Sequence, residues 1–430
     1  MRPRVANVRK ALAQPAIIPT MHATPIRRPR ERSWLLIAAA AIAFALKTTI
    51  AFTTYGTNDV TTFERDLAKL KRQGAATLYR EGITYTSTGR TKYKNQPFIH
   101  PPFILTVLGT WGLLAKLTGL PLGFWLRLTS AMADVLSLVL VAGLLKRLPR
   151  LKDTSLGLLA MALCPVSIVI SGFHGNTDPV MIALVLLSVY WLETRRALWI
   201  TGAAMGMALS IKIVPLIFIP AILLYLPRMR ERWRYLAAVA VVFGVASLPY
   251  LARDPVLIGK TLLSYSSTPG LWGFSVLSVF FRDSATWGWL FRSYAAGGKI
   301  LVLAAILCLS VAMNLRSNKP PLMLQCGAVV FLFLFLTPGF AMQYLAWLVP
   351  WVLALGIWPT LFFYTVAGVF VVIVYNDWCG GFPWYAADVM FRPWEVGHAM
   401  LGLLCWAAVA VMLVLYLRQL IPRGRESGGA

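Results

Sequence analysis

Tyr55-Gly56-Thr57-Asn58-Asp59 opens, and Pro97-Phe98-Ile99-His100-Pro101-Pro102-Phe103 closes, the one long polar stretch set early in a chain that is otherwise mostly apolar. A connector of this length, carrying its own charges, aromatics and turn residues, marks a functional loop rather than a simple link. It lies just past the first apolar run, Trp34 to Thr53; the basic region before that run is too long for a cleaved leader, so the run reads as a retained first span. The loop is half of a candidate active site.

Around it, 430 residues are 58% hydrophobic and 13% charged, with a mean hydropathy of +0.68. That balance excludes an ordinary soluble domain and predicts an all-α polytopic membrane protein. The net charge of +25 sits in short clusters between apolar runs, the pattern of cytoplasmic loops beside anionic lipid, so membrane lipids and not nucleic acid are the expected partners. Of five cysteines, all but Cys379 fall inside apolar segments, which leaves neither a disulfide framework nor a metal-binding CxxC.

Apolar runs place about twelve transmembrane helices at 34–53, 122–145, 155–172, 178–192, 197–211, 213–227, 234–252, 299–315, 321–337, 343–357, 360–376 and 396–417. The expected organisation is a basic tail (1–33), a membrane domain (34–417) whose long first loop (54–121) carries surface helices, and a short tail (418–430). Phe103–Lys116 decides the parity. With that segment on the outer surface, most Lys and Arg after residue 145 fall on one side, so the positive-inside rule puts both termini in the cytoplasm and the first loop outside. Residues 197–227 form two short runs meeting at Lys212, either two crossings or a hairpin into the membrane, with Lys212 at the outward tip.

Six features carry possible chemistry. Asp59 stands at the membrane boundary, where a general base would meet a water-soluble hydroxyl; the bland alternative is a helix N-cap or a solvated acid, as for Glu64 and Asp66 after it. Gly172-Phe173-His174-Gly175-Asn176-Thr177-Asp178-Pro179 packs an imidazole, an amide and a carboxylate into one turn, more than turn-making needs. Lys212, with no acid near it in sequence, suits a phosphate, or else snorkels to the interface. His100 precedes a Pro-Pro pair that structure alone explains, and Gln343-Tyr344 lie in an outer loop whose composition fits either a sugar and diphosphate site or an interfacial aromatic belt. Asp134, mid-span, costs about 2.5–3.5 kcal/mol to insert and needs a donor; Arg127, seven residues earlier on the same face, is the expected one.

In their order these stretches resemble the GT-C superfamily of polytopic glycosyltransferases. The matches are Asn58-Asp59, His100-Pro101-Pro102-Phe103, Arg127-Leu128-Thr129 with Ala133-Asp134-Val135, the Gly172–Pro179 turn, Ile211-Lys212-Ile213-Val214-Pro215, and Gln343-Tyr344-Leu345-Ala346-Trp347. The sequence is similar to the bacterial polyprenol-phosphate-mannose branch and to dolichyl-phosphate-glucose glucosyltransferases. The resemblance implies transfer of a hexose, mannose or glucose, from a polyprenyl-phosphate sugar to an extracytoplasmic lipid-linked or glycan acceptor at a cell membrane. It implies Asp59 as catalytic base and Lys212, His174, Asn176, Asp178, His100, Gln343 and Tyr344 as donor-site residues. Thr57 stands where an Asp-x-Asp pair would have its first acid, so no metal is expected, and the lipid-phosphate sugar is a co-substrate rather than a cofactor. The rival readings are a secondary transporter, which would want midplane charges and a repeat, and a lipid-linked glycan polymerase or flippase.

Overall fold

The computed structural model describes residues 33–86, 93–148, 154–252, 254–263, 272–274, 276, 285–315, 319–389 and 395–420; the basic tail, most of the C-terminal tail and several loop segments lie outside this set. The protein is an all-α polytopic membrane protein. Among the described residues seven helices are long and apolar enough to cross a bilayer, and five shorter apolar helices accompany them. Each of the twelve expected runs falls on helical chain. The largest departure is the run expected to start at 299. Its helix begins at Ala285, because the aromatic, weakly charged stretch before Lys299 continues the helix instead of forming a loop.

The first span, α1 (Ser33–Thr53), is followed by strand β1 (Gly56–Thr57) and helix α2 (Asn58–Glu81), then hairpin β2 (Ile83–Thr86) and β3 (Tyr93–Gln96), and helix α3 (Phe103–Thr118). Sixteen residues of α3 extend about 24 Å, short of a hydrocarbon core of about 30 Å. Helix α2 buries Val60, Phe63, Asp66 and Leu67, one helical stripe at i, i+3, i+6 and i+7, and Leu67 packs where Gly112 of α3 has no side chain. Asp66 is thus not the solvated acid that the sequence suggests: it lies on the apolar stripe, 2% exposed. Desolvation drives its carboxyl up to about 7 against the pull of Lys69.

Helix α4 (Leu122–Leu145) packs beside α1 and α7 (Asp178–Glu193), and α8 (Leu198–Ile211) lies between α7 and α10 (Met229–Leu251). Chain 154–174 forms α5 (Thr154–Ala162), α6 (Pro165–Val169) and a π-helical turn, Ile170–His174. Helix α8 stops at Lys212, whose extended backbone separates it from the 3-10 turn Val214–Phe218 and the short α9 (Ile219–Tyr225) that continues it. Later in the chain come the 3-10 turn Met342–Trp347, the helix Ile357–Cys379 and strand β4 (Ala386–Ala387), which pairs in parallel with β1, Gly56 opposite Ala386.

Asp134 finds a donor, but not Arg127. Lys47 Nζ of α1 reaches Asp134 Oδ2 at 2.6 Å, and Ser167 and Ser171 donate to the same oxygen at 2.7 and 2.5 Å. Seven residues of helix separate Arg127 from Asp134 by about 10 Å along the axis. Arg127 turns the other way and, 1% exposed, clamps the end of α1 by donating to Thr54 Oγ1 and Thr54 O, each at 2.9 Å.

Candidate active site

Three stretches distant in sequence meet at the start of α2. Thr57, not Asn58 or Asp59, caps this helix: its Oγ1 accepts from Asp59 N at 3.2 Å and donates to His174 O at 2.7 Å. The Asp59 carboxylate is therefore not spent on the helix terminus. Gly56, at φ +100, lets the chain turn here; a Cβ would stand 2.6 Å from Phe173 O. On the opposite side, the π-helical turn inserts an extra residue before Gly175 and so sets His174 toward α2. Gly175, at φ +83, ends the turn against Val60, whose Cγ2 would lie 2.5 Å from a Cβ.

The side chains then converge. His174 Nε2 lies 3.0 Å from Asp59 Oδ2, and Asn176 Nδ2 donates to the same oxygen at 3.1 Å. Oδ1 of Asp59 has no hydrogen-bond partner among the described residues, and the side chain is 30% exposed. Burial pushes the Asp59 carboxyl up, but His174, the Asn176 hydrogen bond and the Lys212 charge together outweigh it and hold the group below the ordinary aspartate value. The other ring nitrogen of His174, Nδ1, meets the hydroxyl of Tyr375.

Asn176 Oδ1 accepts from Asp178 N at 2.8 Å, and Asp178 Oδ1 accepts from Lys212 Nζ at 2.6 Å. Lys212, read in the sequence as a cation with no acid near it, thus has a buried acid 34 residues away: the two side chains are 8% and 0% exposed. The ammonium also sits 5.1 Å from the ring centroids of both Tyr344 and Trp347. Two buried polar atoms beside this pair, Asp178 Oδ2 and Trp347 Nε1, have no partner among the described residues.

His100 is half-buried at the mouth of α3, its ring 5.4 Å from both Phe63 and Phe98, while its carbonyl accepts from Tyr79. Desolvation lowers its imidazole to about 4, Lys212 acts in the same direction and Asp59 opposes, so one electrostatic field joins His100, Lys212 and Asp59. The Gln343 side chain, beside Tyr344 in the 3-10 turn, makes no hydrogen bond among the described residues. Among the described residues no group of three or more His, Cys, Asp or Glu side chains is placed to hold a metal ion.

Sequence reasoning missed Tyr375 and Lys47, and gave Trp347, quoted only within the Gln343–Trp347 stretch, no role of its own. Tyr375 heads the polar run Tyr375-Asn376-Asp377 at the end of an apolar segment, a signal of the kind that drew attention to His174. The loop residue Trp384 packs at a tilt beside Phe173 and Tyr375 and donates its indole N–H to Asn376 Oδ1 at 3.0 Å, closing the cluster from the β4 side.

Comparison with known proteins agrees with this architecture. GPI mannosyltransferase 1 of Debaryomyces hansenii is 22% identical over 157 residues, an alignment covering 35% of this chain and 36% of that relative, so the similarity spans about a third of its length. The family profile of glycosyltransferase family 87 matches residues 98–338, more than half of the chain. The protein therefore belongs to glycosyltransferase family 87, a family of the GT-C type.

Proposed function

We propose that this glycosyltransferase moves a hexose from a polyprenyl-phosphate sugar to a hydroxyl of a lipid-linked or glycan acceptor on the outer side of a cell membrane, with both termini cytoplasmic. The observation that carries the reading is the divided Asp59 carboxylate: Oδ2 is engaged by His174 and Asn176, and Oδ1 is left open. In the reaction the acceptor oxygen bonds to the anomeric carbon as its proton passes to Asp59 Oδ1. The bond between that carbon and the phosphate oxygen breaks, and the electron pair leaves with the polyprenyl phosphate. A carboxyl held below its ordinary value stays ionised and ready to accept. Lys212, joined to the site through Asp178 and Asn176, is the cation for the lipid phosphate, with Tyr344 shaping its surroundings. His174, Asn176 and His100 complete the donor side, and Gln343 contributes from its margin. Mannose is favoured because the relative above is named a mannosyltransferase. Thr57 spends its hydroxyl on the His174 carbonyl, which supports a metal-free reaction in this loop.

Asp59→Asn keeps shape and removes the proton acceptor. With purified protein and polyprenyl-phosphate mannose or glucose it should lose roughly 10²–10⁴-fold in turnover while donor binding persists. Glu64→Gln is the control, since Glu64 accepts from Tyr55 and takes no part in the cluster. Wild-type turnover by Asp59→Asn refutes the assignment of the base.

A further inference from the structure

Tyr375 is 0% exposed, and the hydroxyl has His174 as its hydrogen-bond partner among the described residues. A buried O–H needs an acceptor. If His174 were an imidazolium, Nδ1 would itself donate and the phenol proton would be left without an acceptor. If the neutral ring carried its proton on Nδ1, the same conflict would arise, and a lone pair of Nε2 would face the Asp59 carboxylate at 3.0 Å. One arrangement satisfies all three groups: Tyr375 O–H donates to Nδ1, and Nε2–H donates to Asp59 Oδ2.

We infer that Tyr375 is a positioning residue for the transfer: it holds His174 in the neutral Nε2–H form, so that His174 and Asn176 saturate Asp59 Oδ2 and Oδ1 alone receives the acceptor's proton. This rests on the reading of Asp59 as the base. The placement of Tyr375 supports it. The ring is packed edge-on against Phe173 and next to Trp384 and Trp378, which fixes the hydroxyl where a surface tyrosine would swing. Other ionisable groups act on Asp59 from elsewhere: Lys212 beyond α8, itself neutralised by Asp178, and His100 ahead of α3. Neither is a hydrogen-bond partner of the His174 ring, whose two nitrogens meet Asp59 at Nε2 and Tyr375 at Nδ1 among the described residues, so Tyr375 and the Asp59 carboxylate together favour the proton on Nε2.

The test reads the protonation of Asp59 without requiring turnover. A carbodiimide reacts with the protonated carboxyl, so the extent of labelling at Asp59, measured by peptide mass spectrometry on the purified protein between pH 3 and 8, gives its titration midpoint. In wild type, labelling should be confined to the acid end. In Tyr375→Phe the ring of His174 is free to present a lone pair to Oδ2, and the midpoint should rise by about one pH unit, roughly a tenfold change in proton affinity. The acid limb of kcat/KM should move with it, while KM for the donor stays near wild type. In a His174→Gln background, whose amide always offers N–H and has no tautomer, Tyr375→Phe should leave the midpoint unchanged. An unmoved midpoint in Tyr375→Phe, or the same shift in both backgrounds, overturns the inference and reduces Tyr375 to a packing residue. Failure of the proposed transfer is separately visible, since Asp59→Asn would then turn over normally whatever the labelling shows.

Discussion

The Lys212–Asp178 pair decides how any mutation at the donor side must be interpreted. The carboxylate is fully buried and 2.6 Å from an ammonium that is itself nearly enclosed. Removing one partner of such a pair strands the other charge and costs about 3–5 kcal/mol, a large part of a typical stability of about 5–15 kcal/mol. Lys212→Met should therefore lower the thermal unfolding midpoint on the order of 5–10 °C, whatever it does to donor binding. Asp178→Asn should cost less, because the amide oxygen still accepts from Nζ and the rings of Tyr344 and Trp347 still face the cation, a contact worth about 0.5–2 kcal/mol. The double variant Lys212→Met, Asp178→Asn removes both charges and should recover most of the loss in Lys212→Met. Tryptophan fluorescence during heating in detergent measures all four proteins. Donor affinity is then compared in the double variant, where loss of a charge-assisted contact of about 1.5–3 kcal/mol predicts roughly 10- to 100-fold weaker binding of the lipid phosphate. Lys212→Met that unfolds at the wild-type temperature, or a double variant as unstable as the sum of the singles, would refute the buried pair. Unchanged donor affinity in the double variant would refute the phosphate role alone.

Two further outcomes are expected. Asp66, raised to about 7 in the folded state from the ordinary 3.8, binds its proton more tightly folded than unfolded, so its contribution is fully present below about pH 4 and is lost as pH rises toward 7. Asp66→Asn should relieve at most about 4 kcal/mol at pH 8 and little at pH 4, visible as a midpoint gain that grows with pH; a gain independent of pH would contradict this. For orientation, cysteine introduced at Ala68 of α2 should react with a membrane-impermeant thiol reagent in intact cells, and at Arg230 in the first turn of α10 should not; the reverse pattern would invert the topology.

The spans were legible because a bilayer demands long apolar runs with charged ends, a signal that survives without any knowledge of neighbours. The Gly172–Pro179 turn was legible because its polar residues are adjacent in sequence. What escaped were pairings across the fold. Lys47 hides in an apolar run and declares itself only where α1 meets Asp134. Asp66 looks solvated among Glu64, Arg65 and Lys69, although its position three residues after Phe63 and beside Leu67 places it on the buried stripe. Tyr375 lies 201 residues from His174, and no periodicity connects them.

His174 owes its position to support from both sides of its π-helical turn. Upstream, Ser171 is tied to Asp134 and through it to Lys47, while Gly172 allows the α1 backbone to approach, since a Cβ there would stand 3.1 Å from Lys47 Cα. Downstream, Asn176 is held by Ser130, which accepts nothing from it but donates to its carbonyl at 2.6 Å, and by the backbone of Asp178, whose side chain is locked by Lys212. Each flank carries one ion pair, so both supports are close to neutral overall and the Asp59 carboxylate remains the charge left exposed at the centre. A π-helical turn is costly to maintain alone. Here it is stabilised by contacts from α1, α4 and α6, and a change in any of these elements should reach Asp59 through the His174 ring rather than through the loop that carries Asp59 itself.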